Sequence, residues 1–137
     1  MRLRGEEIFY LNALNSVSGA NARDCVVQGK VITFLMKGKE LGRAIGKNAT
    51  AVKKLRQLLK LNVELLEYPD NPAEFIKKAL YNVKVKEVKI SLKNGKKVAK
   101  VVLEPGERRK ILNGMSRLKR IKALAQRNYN VEGIKIH

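Results

Sequence analysis

The sequence predicts a mixed α/β (α+β) protein built as two successive modules, residues 1–68 and 69–137, each a three-stranded sheet packed with three helices. Three observations carry this reading. Apolar positions alternate between helical spacing and β-branched runs, in the same order on both sides of Tyr68-Pro69-Asp70-Asn71-Pro72. Gly29 lies 19 residues before Asn48, and Gly95 lies 18 before Asn113. Both halves then resume a strand at Asn-Val-Glu, residues 62–64 and 130–132. Order, spacing and loop residue recurring together mark a duplicated unit.

Element by element, residues 6–18 place Ile8, Leu11, Leu14 and Val17 on a helical stripe, with Glu6-Glu7 at its positive end and Gly19 closing it. Two β-branched runs around Gln28-Gly29 read as a hairpin. A short helix over Gly38–Arg43 leads into Ala44-Ile45-Gly46-Lys47-Asn48-Ala49. A longer one follows, with Val52, Leu55 and Leu59 inward, and then a strand from Asn62. Past the prolines, residues 73–80 form a helix with Phe75, Ile76 and Ala79 inward. The alternation from Val83 to Leu92 slips phase at Lys86-Glu87, which predicts a bulge. Asn94-Gly95 is a hairpin turn, and Val98–Leu103 is its return strand. Pro105-Gly106 opens a short basic helix, Ile111-Leu112-Asn113-Gly114 forms a loop, and a long helix carries Leu118, Ile121 and Ala125 inward before the final strand.

Charge narrows the function. The chain has 30 Lys+Arg against 12 Asp+Glu, a formal net charge of +18, and 45% hydrophobic residues. That is a folding chain with a surface suited to a polyanion, nucleic acid first. Cys25 is the only cysteine, so no intramolecular disulfide is expected and a cytoplasmic location fits. One histidine, His137, and one distant cysteine offer no ligand set for a metal or haem, so no cofactor is expected. Ser–His–Asp or Cys–His chemistry lacks a placed histidine, and a nuclease lacks its acidic cluster, so the chain does not read as an enzyme. No apolar run approaches the roughly 18–20 residues of a membrane span, and Met1-Arg2-Leu3-Arg4 runs into Gly5-Glu6-Glu7, not into a secretory core.

The two glycine turns between helices are the chemical centre. Backbone N–H groups at a helix start point outward and suit phosphate, and a glycine before them lets a phosphodiester approach closely. Ile45-Gly46-Lys47-Asn48-Ala49, flanked by Arg43, Lys53 and Lys54, follows this logic. So does Leu112-Asn113-Gly114, flanked by Arg108-Arg109-Lys110 and by Arg117, Lys119 and Arg120. Three adjacent cations in Arg108–Lys110 repel one another unless a phosphate is present, so that run reads as functional. Lys84, Lys86 and Lys89 fit either a binding surface or the solvated face of a strand, and Lys96-Lys97 fits protection of an edge.

Helix–strand–strand–helix–glycine loop–helix–strand resembles the type II K-homology (KH) domain. Ile45-Gly46-Lys47-Asn48-Ala49 is similar to its Ile-Gly-x-x-Gly signature with the last glycine changed. Two such domains in tandem, Gly19-Ala20-x-Ala22-Arg23-Asp24-Cys25, and Glu67-Tyr68 followed by Asp70-x-Pro72-x-Glu74-Phe75-Ile76, together resemble the archaeal NusA-like transcription factors. The resemblance implies single-stranded RNA held in KH grooves, about four nucleotides per domain, within the transcription elongation and termination machinery. It implies RNA polymerase as a partner by kinship alone. It places the RNA at Ile45, Gly46, Lys47 and Asn48, and in the second half at Ile111, Leu112, Asn113 and Gly114. Ala49 stands where the second glycine belongs; its cost is about 1–2 kcal/mol if the backbone there is left-handed and nil if it is already helical. Ile111 stands where the first glycine of the second loop belongs, at the closest approach to phosphate.

The seven aromatics fall mostly at core or flanking positions, so strand-based base stacking is not expected and an aliphatic groove is. A ribosomal or ribosome-assembly protein gripping folded rRNA is the alternative. A monomer is the expectation. Residues 1–68 hold 12 basic and 6 acidic residues, residues 69–137 hold 18 and 6. The better-formed loop lies in the less charged half, which divides the work: the first half positions a strand and the second supplies electrostatic hold.

Overall fold

A computed structural model describes residues 5–46 and 49–137. Lys47 and Asn48, both expected RNA contacts, lie outside the described residues. The chain runs α1 (Gly5–Ser18), β1 (Asp24–Gln28), β2 (Val31–Met36), α2 (Gly38–Ile45), α3 (Thr50–Leu59), β3 (Asn62–Glu67), α4 (Pro72–Ala79), β4 (Val85–Lys93), β5 (Lys96–Leu103), α5 (Arg108–Asn113), α6 (Met115–Tyr129) and β6 (Val131–Ile136). It divides into two compact units that meet in sequence between Tyr68 and Pro69.

In the first unit β1 and β2 form an antiparallel hairpin, with Cys25 opposite Phe34. β3 then joins β2 in parallel, with Phe34 opposite Leu65, giving the order β1-β2-β3. A parallel neighbour needs a crossover, and α2 with α3 supplies it. The middle strand is the most apolar: Ile32, Thr33, Phe34, Leu35 and Met36 are all buried. Against it pack Ala13 and Leu14 of α1, Ala44 of α2 and Leu55 of α3, with Tyr10, Leu11 and Val17 partly buried beside them. Cys25 is fully buried, its Sγ 3.7 Å from the Glu7 carbonyl oxygen.

Ile8 departs from the expected stripe: it is exposed, as is Phe9. At about 100° per residue, positions three apart drift by about 60° per step, so four of them sweep about half the helix and cannot share one face. The buried face is set by Tyr10, Leu14 and Val17, at mixed spacings of four and three.

The second unit repeats the element order. Asn71 caps α4, its Oδ1 accepting the Glu74 N–H at 2.8 Å with Pro72 in the first turn, and Phe75, Ile76 and Ala79 point inward. β4 pairs antiparallel with β5, the register slips between Val85 and Glu87, and β6 joins β5 in parallel. The hairpin turns at Asn94 and Gly95, φ 54° and 79°, the left-handed pair of a two-residue turn. α6 buries Leu118, Ile121, Leu124, Ala125 and Tyr129. The Tyr129 ring stacks on Phe75 at 5.2 Å, and its hydroxyl donates to the Pro69 carbonyl at 2.5 Å. Lys60 and Asn130 both end their helices in the left-handed conformation. Among the described residues no helix is long and apolar enough to cross a membrane.

Candidate nucleic-acid interface

In the first unit α2 stops at Gly46, whose N–H donates to the Gly42 carbonyl at 3.1 Å. Its φ of 67° and ψ of −176° fall in a region that is essentially glycine's alone. A Cβ there would also stand 3.4 Å from that of Ala51. Ala49, φ 57° and ψ 27°, is left-handed and is the residue before α3. The strained alternative for Ala49 therefore holds: it occupies a glycine conformation without being glycine. It has no polar side chain with which to cap α3, and the helix's first turn contains no acidic residue.

These features frame an open groove of about 380 Å³ lined by Val17, Ser18, Arg43, Gly46, Thr50, Ala51 and Lys54. Of the expected contacts, Arg43, Gly46 and Lys54 come together in it. Ile45 is exposed and Ala49 half-buried at its edge, while Lys53 is exposed on α3 without lining the groove. Arg43 pairs with Glu40 at 3.3 Å with its side chain still 60% exposed. Its lining combines the small apolar side chains of Val17 and Ala51 with the hydroxyl residues Ser18 and Thr50 and the cations Arg43 and Lys54. Cations beside a helix start are chemically suited to a phosphate group.

In the second unit the expected loop is almost absent. Ile111, Leu112 and Asn113 are the last turn of α5, and Gly114 alone separates α5 from α6. Gly114 has φ −113°, so no left-handed backbone is required; what holds it small is the Lys110 carbonyl oxygen, 3.3 Å from where a Cβ would be. Ile111 is 5% exposed and belongs to the core, not to a phosphate contact. Leu112 and Asn113 are exposed. The two helices are separated by one residue here, against four between Ile45 and Thr50 in the first unit.

The basic residues around it separate into four environments. Arg108, Arg109 and Lys119 are exposed. Lys110 is not one of three unscreened cations, because its Nζ sits 3.1 Å from the Glu107 carboxylate. Glu107 is itself buried and accepts the Lys84 N–H at 2.6 Å. That backbone bond and the Lys110 ammonium hold its carboxyl below the usual carboxylate range. Arg120 is 5% exposed and donates to Ser116 Oγ at 2.8 Å, a structural role in α6 that removes it from the surface.

Arg117 points to a partner that the sequence reading missed. Its guanidinium lies 4.4 Å from the centre of the Tyr81 ring and donates to Tyr81 Oη and Asn82 Oδ1, both at 2.7 Å. Tyr81 is 63% exposed, so one face of a held aromatic ring remains open beside the start of α6. A separation of 36 residues hides this pair from any local pattern. The only signal was an aromatic outside the helical stripe, directly after α4.

A three-stranded sheet with one parallel pair, crossed by two helices that meet at a glycine, defines an RNA-binding class of fold. The KH domain family matches residues 12–101, and the chain belongs to it. The match runs from α1 through β5, across the Tyr68–Pro69 boundary. Over 137 residues the chain is 25% identical to the probable transcription termination protein NusA of Methanocaldococcus jannaschii, covering 99% of this chain and 75% of that one. It is 26% identical to the protein of the same name from Methanococcus vannielii, covering 99% and 79%. The crystal structure of APE1850 superposes with a TM-score of 0.85 at 27% identity, covering 98% of this chain and all of that one.

Proposed function

We propose that the chain is a tandem KH protein, residues 1–68 and 69–137, that holds single-stranded RNA without catalysing a reaction and acts on transcripts during elongation or termination. The observation that carries this is the groove at the start of α3, where Gly46, Arg43 and Lys54 lie beside a helix whose first turn holds no acidic residue. The repeated strand order, β1-β2-β3 and β4-β5-β6, each with one antiparallel and one parallel pair, supports reading the second unit as a second KH domain. The names of the two methanogen relatives support the place in transcription. RNA polymerase is the protein partner this reading carries.

The first unit positions RNA in its groove. The second, lacking a comparable loop, contributes through charge and the Tyr81 ring. Fluorescence anisotropy with single-stranded RNAs of about eight nucleotides tests the reading, since two domains at about four nucleotides each fill that length. Micromolar affinity is expected, with a loss of tenfold or more in Arg43→Glu/Lys54→Glu. A protein that ignores all short strands yet binds folded rRNA belongs to the ribosome instead.

A further inference from the structure

The outer face of the second sheet carries charge that the helix–turn–helix site does not use. Lys89 of β4 stands opposite Lys100 of β5, and Lys100 stands opposite Lys135 of β6, a row of three across the whole sheet. Side-chain alternation puts Lys93 and Lys96, themselves opposite one another, on the same face. All five lysines are exposed. Among the described residues at paired positions of this face, Glu87 is the one carboxylate, 3.5 Å from Lys89.

Like charges directly opposite in adjacent strands are destabilising. Lys135 also feels a lysine two strands away. The Lys93 side chain and its charge hold the Lys135 ammonium below the usual lysine range. The corresponding face of the first sheet is not comparable, since Asp24, Thr33, Leu35 and Leu66 on it are buried.

We propose that this face is a second polyanion site, which takes the phosphodiester backbone of RNA outside the helix–turn–helix groove. It rests on the RNA-binding reading and extends it to a surface with no glycine turn. An acidic protein is the less suitable occupant. Protein interfaces are centred on apolar and aromatic residues, and besides Glu87 the other paired positions of this face hold only Ser91, Val98, Val102 and Gly133. Backbone phosphates need charge alone.

Two measurements on the full chain test it. The first is lysine acetylation followed by mass spectrometry, with and without a single-stranded RNA of about 30 nucleotides, long enough to exceed the grooves at about four nucleotides per domain. Protection of Lys89, Lys93, Lys100 and Lys135 is expected. Protection of Lys54 without them overturns this proposal and leaves the groove reading standing; protection nowhere overturns both. Protection by polyglutamate but not by RNA assigns the face to an acidic protein and overturns the proposal. The second measurement is the variant Lys89→Gln/Lys100→Gln/Lys135→Gln. Its salt dependence of RNA binding should be shallower by about 2 in slope. That corresponds to about 50-fold weaker binding at 0.15 M salt, closing towards 1 M, as three single-strand phosphate contacts predict. The same variant should melt at a higher temperature than the native chain. A higher melting temperature with unchanged binding makes the row a solvated face and nothing more.

Discussion

Ala49→Gly is the substitution for which the geometry gives the clearest sign. Ala49 sits at φ 57°, ψ 27°, immediately before α3. Holding an L-residue there costs about 1–2 kcal/mol through the clash of Cβ with the backbone. Glycine removes that clash but loses about 0.5–1 kcal/mol more conformational freedom on folding. The difference is a net stabilisation of about 0.5–1 kcal/mol, which in a unit of this size raises Tm by about 2–8 °C. Thermal unfolding of the full chain followed by circular dichroism reads it directly. Ala51→Gly is the control: it is two residues further on, in α3 and buried, and should destabilise by about 1 kcal/mol or more. RNA affinity of Ala49→Gly should hold or tighten, since losing Cβ opens the helix start. If Ala49→Gly lowers Tm as Ala51→Gly does, Ala49 is helical, and the left-handed entry into α3 is wrong.

Three further outcomes are expected. Gly46→Ala should destabilise by about 1–3 kcal/mol, because φ 67° with ψ −176° is closed to a side chain; urea midpoints at unchanged m-value measure it. Tyr81→Ala should weaken binding of short single-stranded RNA by about 1–3 kcal/mol if one base stacks on the open ring face, while Tyr81→Phe keeps most of that affinity; equal affinities for native and Tyr81→Ala would show the ring is unused. For Glu107 the folded pKa is depressed, so its stabilisation is present above the unfolded value and is lost as pH falls through the folded one. Glu107→Gln should therefore be less stable than native at pH 7 and should show a flatter loss of stability below about pH 4, read from urea midpoints across that range; an unchanged acid limb would show that Glu107 does not govern it.

Where a local rule fixes the backbone, the elements were legible in the sequence. Asn94-Gly95 gave the hairpin because both residues tolerate positive φ, and the phase slip at Lys86-Glu87 marked the bulge found between Val85 and Glu87. Ile8 misled because a spacing of three looks helical yet drifts around the helix. Ile111-Leu112-Asn113-Gly114 looked like a loop by analogy with Ile45–Ala49. Yet Ile111 is worth more in the core, and burying it pulls α5 on to within one residue of α6. At the site, Arg43, Gly46 and Lys54 could be found by proximity in the chain. Arg120 and Lys110 could not be sorted from their neighbours, since what decides their roles is burial beside Ser116 and a carboxylate at Glu107. The Tyr81–Arg117 pair and the row Lys89–Lys100–Lys135 are products of tertiary register, and no window of sequence contains them.

Cys25 turns the protein into its own clock. It is the only thiol in the chain, it is fully buried, and it lies on β1 of the first unit. A thiol reagent can reach it only when the core around it opens, so the labelling rate reports openings of the first unit. When reclosing outpaces the reagent, that rate reports the free energy of opening; when it does not, it reports the opening rate itself. The second unit, having no cysteine, is silent in the same experiment. Whether the halves open singly or together can thus be learned by timing one sulfur atom against the loss of helix in the whole chain.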